Sequence, residues 1–209
     1  MDQLLHALNQ PITGLQCSLE LAVARPRSQS HYVRVLREGL ELTGRIRTLV
    51  KAARELMEVQ RPQAKTTGTV LLNELLETTI EDLVPVANDR GVRLQLRCLA
   101  ILPVQADRST MSALIFRFLE AVLSLSADCS PLRIYANADR DLACVSVQWQ
   151  PGQNAQEDLF SAPALALAIS QAGWEQAGAH FERLRTGDVE TCSLHMPMAT
   201  ASPADDWEI

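Results

Sequence analysis

The chain has 209 residues, of which 47% are hydrophobic and only 4% aromatic, and it carries a net charge of -6. That length suits one domain of ordinary size or two small ones, with a core packed mainly by aliphatic side chains. An acidic chain whose only lysines are Lys51 and Lys65 is a poor match to a phosphate backbone, so no nucleic acid partner is expected.

Leu4, Leu8, Ile12, Leu15, Leu19 and Ala22 recur at steps of three and four, which predicts an amphipathic helix over 2–24. The stretch RPRSQS at 25–30 reads as a loop. A second helix is predicted over 31–60. Its seam of Leu42, Ile46, Leu49, Ala53 and Leu56 has the heptad spacing that suits near-parallel packing of helices. Two such helices make a hairpin, and one hairpin cannot bury both stripes. Two copies are therefore expected to pair as a four-helix bundle in a homodimer.

Residues 61–69, RPQAKTTGT, read as a linker, and the pattern changes beyond them. A helix is predicted to end near Gly91, followed by the alternating strand VRLQLRC and a helix that starts near Ser109 or Thr110. The segment LRIYANADRDLACVSVQWQ reads as a β-hairpin, APALALAISQAGWEQAGAHFE as a helix, and TCSLHMP as a last short strand. Mixed helices and adjacent strands indicate an α+β sandwich. ATASPADDWEI, at 199–209, has the composition of a disordered tail.

The cysteines are Cys17, Cys98, Cys129, Cys144 and Cys192. Their number is odd and they form no C-x-x-C pair, so no metal site and no disulfide framework is expected. They fit a reducing compartment, and no run of 18 apolar residues or basic-then-apolar leader occurs. A cytoplasmic chain with no membrane partner is expected.

The residues HALNQPI, from His6 to Ile12, resemble the H-box of bacterial sensor histidine kinases, roughly H-[ED]-[LI]-x-x-P-[LI]. In that family a histidine on the first helix of a dimeric four-helix bundle accepts a phosphoryl group. The resemblance extends over nearly the whole chain. It implies a dimerisation and histidine phosphotransfer hairpin at 1–62, a histidine-kinase-type ATPase α/β sandwich at 63–198, and a tail at 199–209. His6 is then the catalytic residue. Asn9, Gln10, Thr13 and Cys17 follow it at helical steps, on a face other than the apolar stripe, where a partner would meet them. Pro11 removes a backbone donor and is expected to bend the helix beside Ala7; if it marked a helix start instead, 2–10 would be a loop.

The ATP-binding motifs of the family are degenerate here. Where the family has asparagines for phosphates and magnesium, the stretch IFRFLEAVLS has Arg117 and Ala121. After the hairpin, VSVQWQPGQNAQED has no aspartate before Asp158 and the single glycine Gly152. Where the family has G-x-G-L-G-L-A, this chain has Ala162, Ala164 and Ala166. Magnesium needs oxygen ligands, phosphate loops need glycine, and alanines favour an unbroken helix. The residue after the histidine, an acidic base in the family, is Ala7.

These departures lead to the expectation of a histidine phosphotransfer protein that binds no ATP. It would relay phosphoryl groups between response-regulator receiver domains, with magnesium supplied by the receiver. The rivals are a sensor histidine kinase with a divergent ATP site and a non-catalytic pseudokinase that sequesters a receiver. Only five residues precede His6, so the chain either lacks an input module or is a fragment of a longer kinase.

Overall fold

The computed structural model describes residues 2–24, 26, 28–59, 67–152 and 161–199; at 2–8, 55, 56, 58 and 59 it describes the backbone alone. Two long helices come first, α1 (Asp2–Ala24) and α2 (Gln29–Val59). Then follow β1 (Gly68–Leu71), α3 (Leu72–Asp89), β2 (Arg93–Cys98), β3 (Pro103–Ala106) and α4 (Arg108–Leu125). The chain ends with β4 (Pro131–Asp139), β5 (Leu142–Trp149), α5 (Ala162–Gln176), β6 (His180–Thr186) and β7 (Val189–Pro197).

α1 and α2 pack on each other as the hairpin that their stripes predict. At the crossing Gly39 sits close to α1, where a Cβ would lie 3.2 Å from Leu15 Cδ1, tighter than an ordinary contact. Pro11 lies inside α1, and the helix runs through it rather than beginning there.

The main sheet has the order β2-β4-β5-β7-β6. β2 and β4 are parallel and the other neighbours antiparallel. Alternate residues of β4, β5 and β7 face inward, among them Leu132, Ile134, Val145, Val147, Leu194 and Met196. They join Leu75 and Leu76 of α3, Ile115 and Phe118 of α4, and Trp174 of α5 in one core. The Phe118 ring meets Trp174 and Phe181 edge to face, at 6.5 and 6.0 Å between centroids. Among the described residues no helix packs on the other face of the sheet, which carries the polar alternates. β1 and β3 form a separate two-stranded ribbon, tied to the end of β7 through a bridge between Val104 and Met198.

The structure corrects the sequence reading in two places. Gly68 to Leu71 form β1, although Gly68 and Thr69 read as the end of a linker, because they pair with β3, itself unpredicted. α4 starts at Arg108, close to the expected start, capped by Asp107, whose carboxylate accepts from the Thr110 amide at 2.8 Å. The helix predicted through Glu182 ends at Gln176. Gly178, at φ +85, turns the chain, and residues from His180 pair with β7 as β6. The expected tail lies outside the described residues, apart from Ala199, whose amide donates to Pro103 O at 2.8 Å.

Arg90 ties the end of α3 to the end of α4. Its guanidinium donates to Leu123 O, to Ser126 O at 2.7 Å and to Asp128 Oδ1 at 2.9 Å. Hydrogen bonds to a charged donor are the stronger kind, so Arg90→Ala should cost about 2 kcal/mol in urea unfolding. Asp128 is 70% exposed, and Asp128→Ala should cost well under about 1 kcal/mol.

Burial pushes the Cys192 thiol from its ordinary 9.0 up to about 12, with the Arg183 charge opposing and Glu190 adding to the rise. Between those values the unfolded chain holds fewer protons than the folded one. Stability should therefore fall as pH rises from about 9 towards 12, and the Cys192→Ala variant should lose that component of the slope.

Candidate functional site

The residues expected at the phosphotransfer site sit on one unbroken helix. His6 lies in α1; its side chain is outside the described residues. Asn9, Gln10, Thr13 and Cys17 are all exposed, and Gln16 beside them spans one turn to Glu20 at 2.8 Å. The two α1 faces separate less sharply than the sequence suggests. Ile12 and Leu19, on the apolar stripe, remain 45% and 44% exposed, whereas Ala22 is buried. Pro11 has no N–H, so the Ala7 carbonyl, one turn earlier, lacks its helical donor beside His6.

The region that would hold a nucleotide in a kinase lies along α4, the end of β5 and the start of α5. Of the two positions singled out on α4, Arg117 points to solvent and Ala121 is buried at 3% exposure. Neither can ligate a cation: one is itself a cation and the other has only a methyl group. The chain leaving β5 is held close to α4. Gly152 N–H donates to Leu125 O at 2.9 Å, and Ser126 bridges to Pro151. Asp158 lies outside the described residues.

The three alanines lie in an unbroken helix. Ser161 caps α5, its hydroxyl accepting from the Ala164 amide at 3.4 Å, with Pro163 in the first turn. Ala162, Ala164 and Ala166 follow within the helix. The Ala164 amide is taken by Ser161, and the Ala166 amide, beyond the first turn, bonds to a carbonyl of the helix itself. Below α4, beside Phe118 and Trp174, lies an apolar gap of about 10 Å³, no larger than one water.

α5 also touches the hairpin. Leu165 and Ile169 pack with Leu49 and Ala52 of α2 in a small core of their own. The sequence offered half of this contact: Leu49 stands in the predicted seam, and Leu165 and Ile169 are one helical turn apart. Their meeting depends on the tertiary fold and was not read from the pattern. Arg90 was missed for the same reason, since its partners lie more than thirty residues away.

Among the described residues no three His, Cys, Asp or Glu side chains converge as a metal site. Cys144 Sγ stands 3.2 Å from His195 Nδ1 on the polar sheet face, but burial, then the Asp139 charge, raise its pKa and hold it as a thiol. Trp149 and Trp174 are core residues, 1% and 2% exposed. Among the described residues no helix is long and apolar enough to cross a membrane.

No family model and no curated protein matches the chain in sequence. Solved structures match it in fold. Acinetobacter baumannii histidine kinase AdeS matches with a TM-score of 0.60 at 17% identity, over 93% of this chain and 98% of that one. A histidine kinase from Burkholderia phymatum STM815 matches with a TM-score of 0.57 at 19% identity, over 96% and 100%. The nucleotide-free catalytic domain of histidine kinase ThkA matches with a TM-score of 0.53 at 15% identity, over 64% of this chain and 97% of that one. At these identities the likeness is one of architecture: the chain has a histidine-kinase-like α+β fold.

Proposed function

We propose that this chain is a histidine phosphotransfer protein of a bacterial two-component phosphorelay, acting as a homodimer without binding ATP. The observation that carries the reading is α5. Within a histidine-kinase-like fold, the segment where kinases keep a glycine loop is a capped helix containing Ala162, Ala164 and Ala166. The site that would load phosphate from a nucleotide has lost its chemistry, while a continuous helix still carries His6 with exposed polar neighbours.

The chemistry asked of the chain is small. A neutral imidazole nitrogen attacks the phosphorus of an aspartyl phosphate on a receiver domain, the bond to the carboxylate oxygen breaks, and the carboxylate leaves. The ring N–H proton passes to solvent. Transfer to a second receiver reverses the step. The receiver brings the magnesium, and α1 needs only to hold the ring rigidly, with Asn9, Gln10, Thr13 and Cys17 as the surface the receiver meets. Loss of the acidic residue after the histidine, here Ala7, matters less when the donor is an acyl phosphate, which is more reactive than ATP.

The hairpin supports the dimer. Val33, Leu36 and Leu40 of α2 share one stripe and are 42%, 61% and 73% exposed, and Ile12 and Leu19 of α1 are similarly open. A second hairpin related by a two-fold axis would cover them. Leu40→Asp should convert the dimer to monomers in light scattering after gel filtration, with the helical content kept.

Function is tested with a receiver phosphorylated by a small acyl-phosphate donor. The wild-type chain should draw off the label and His6→Ala should draw off none. Millimolar ATP with magnesium should leave the melting temperature unchanged, since a ligand stabilises the state it binds. A nucleotide-induced rise would favour the divergent kinase. Equal binding of receiver by both chains, with no label moving to either, would favour the sequestering pseudokinase.

A further inference from the structure

The polar face of the main sheet carries an arginine cluster that the proposed phosphotransfer does not use. Arg93 and Arg97 lie on β2 and Arg133 on β4. The register sets Arg133 opposite Gln95 and Arg97 opposite Tyr135, so the three arginines flank one another on the same face. Strand spacing puts the Arg133 Cα about 8 Å from each of the other two. All three side chains are exposed.

Their guanidinium groups have no ion-pair or hydrogen-bond partner among the described residues. Elsewhere in the chain Arg90, Arg108, Arg183 and Arg185 are each paired with a carboxylate. Like charges at neighbouring sheet positions destabilise the sheet, and here nothing offsets them. Charge on an edge strand has a use of its own, because it discourages pairing with another chain. That accounts for Arg93 and Arg97 on β2. It does not account for Arg133, because β4 lies between β2 and β5. Gln148 of β5 stands opposite Arg133 and extends the row Gln95, Arg133, Gln148 as a strip rich in hydrogen-bond donors.

We infer that this face docks the acidic surface of another protein, its carboxylates bridging Arg93, Arg97 and Arg133. Guanidinium forks match carboxylates two bonds at a time. The chain's net charge of -6 repels an extended polyanion while leaving a local contact with a short acidic cluster favourable. The aromatic beside the arginines, Tyr135, is half-buried and offers a poor platform for stacked bases. A second copy of this chain, bringing Glu77, Glu81 and Asp82 of α3, is the competing occupant, and the test below separates it from a different protein.

The test uses the full chain and a fluorescein-labelled peptide of six glutamates, followed by anisotropy at physiological salt. Arg93→Glu with Arg133→Glu should weaken binding about tenfold or more. Arg117→Glu with Arg140→Glu, which changes net charge equally at exposed positions elsewhere, should leave it within about twofold. Because the paired positions have no partners to lose, the first variant should melt no lower than wild type. If it fails to fold, Arg133→Gln alone should still weaken binding. Equal loss in both double variants would overturn the inference, as would tighter binding of a single-stranded oligonucleotide than of the peptide. Concentration-dependent self-association without peptide, abolished by the first variant, would also overturn it in favour of a second copy. His6→Ala should bind the peptide like wild type, which keeps this result separate from the outcome of the phosphotransfer assay.

Discussion

The body of the molecule depends on the width of the apolar face of α4. Met111, Leu114, Ile115, Phe118, Leu119 and Val122 form one stripe at steps of three and four, and the buried Ala121 and Leu123 widen it to about half the circumference, more than the sheet alone covers. One side of the helix must lie on the strands and another must be covered by something else. α3 and α5 supply that cover, and the Phe118 ring, wedged edge-on against Trp174 and Phe181, joins α4 to α5 and to the sheet in one contact. A fold arranged in this way has little freedom to hold an open cleft between α4 and α5. The small side chains of Ala121 and of the alanines of α5 reinforce the closure, because they let the two helices approach.

The same constraint sets what is left for the hairpin. α1 and α2 satisfy each other along one line only, through close contacts such as Leu15 on Gly39. The rest of their apolar surface faces away from the body, except where Leu49 and Ala52 meet α5. The chain thus divides into a body that is saturated in itself and a stem that is not. On this stem Asn9, Gln10, Thr13 and Cys17 are exposed, as the proposed phosphotransfer asks.

Much of this was legible in the sequence, and the reasons differ between elements. The hairpin helices, α3, β2, the β4–β5 hairpin and α5 all carry strong periodicity, so the local pattern and the final structure agree. β1, β3 and β6 were hidden because short strands are specified by partners distant in sequence. Gly68 and Thr69 look like the end of a linker until Pro103 to Ala106 lies beside them. The misread end of α5 came from Ala179, Phe181 and their neighbours, which continue a helical apolar pattern; Gly178 overrides it by taking a left-handed turn. At the candidate site the substitutions themselves were readable, Arg117 and the alanines above all, because they are departures in residue chemistry. The arginine cluster was not readable, since it exists only once β2 and β4 are known to be parallel neighbours.

The seam of Leu49, Ala52, Leu165 and Ile169 is small beside the main core, yet it joins the stem to the body. Four side chains hold only a modest share of the folding energy, so trimming Leu165 or enlarging Ala52 would loosen or crowd this joint while leaving the main core intact.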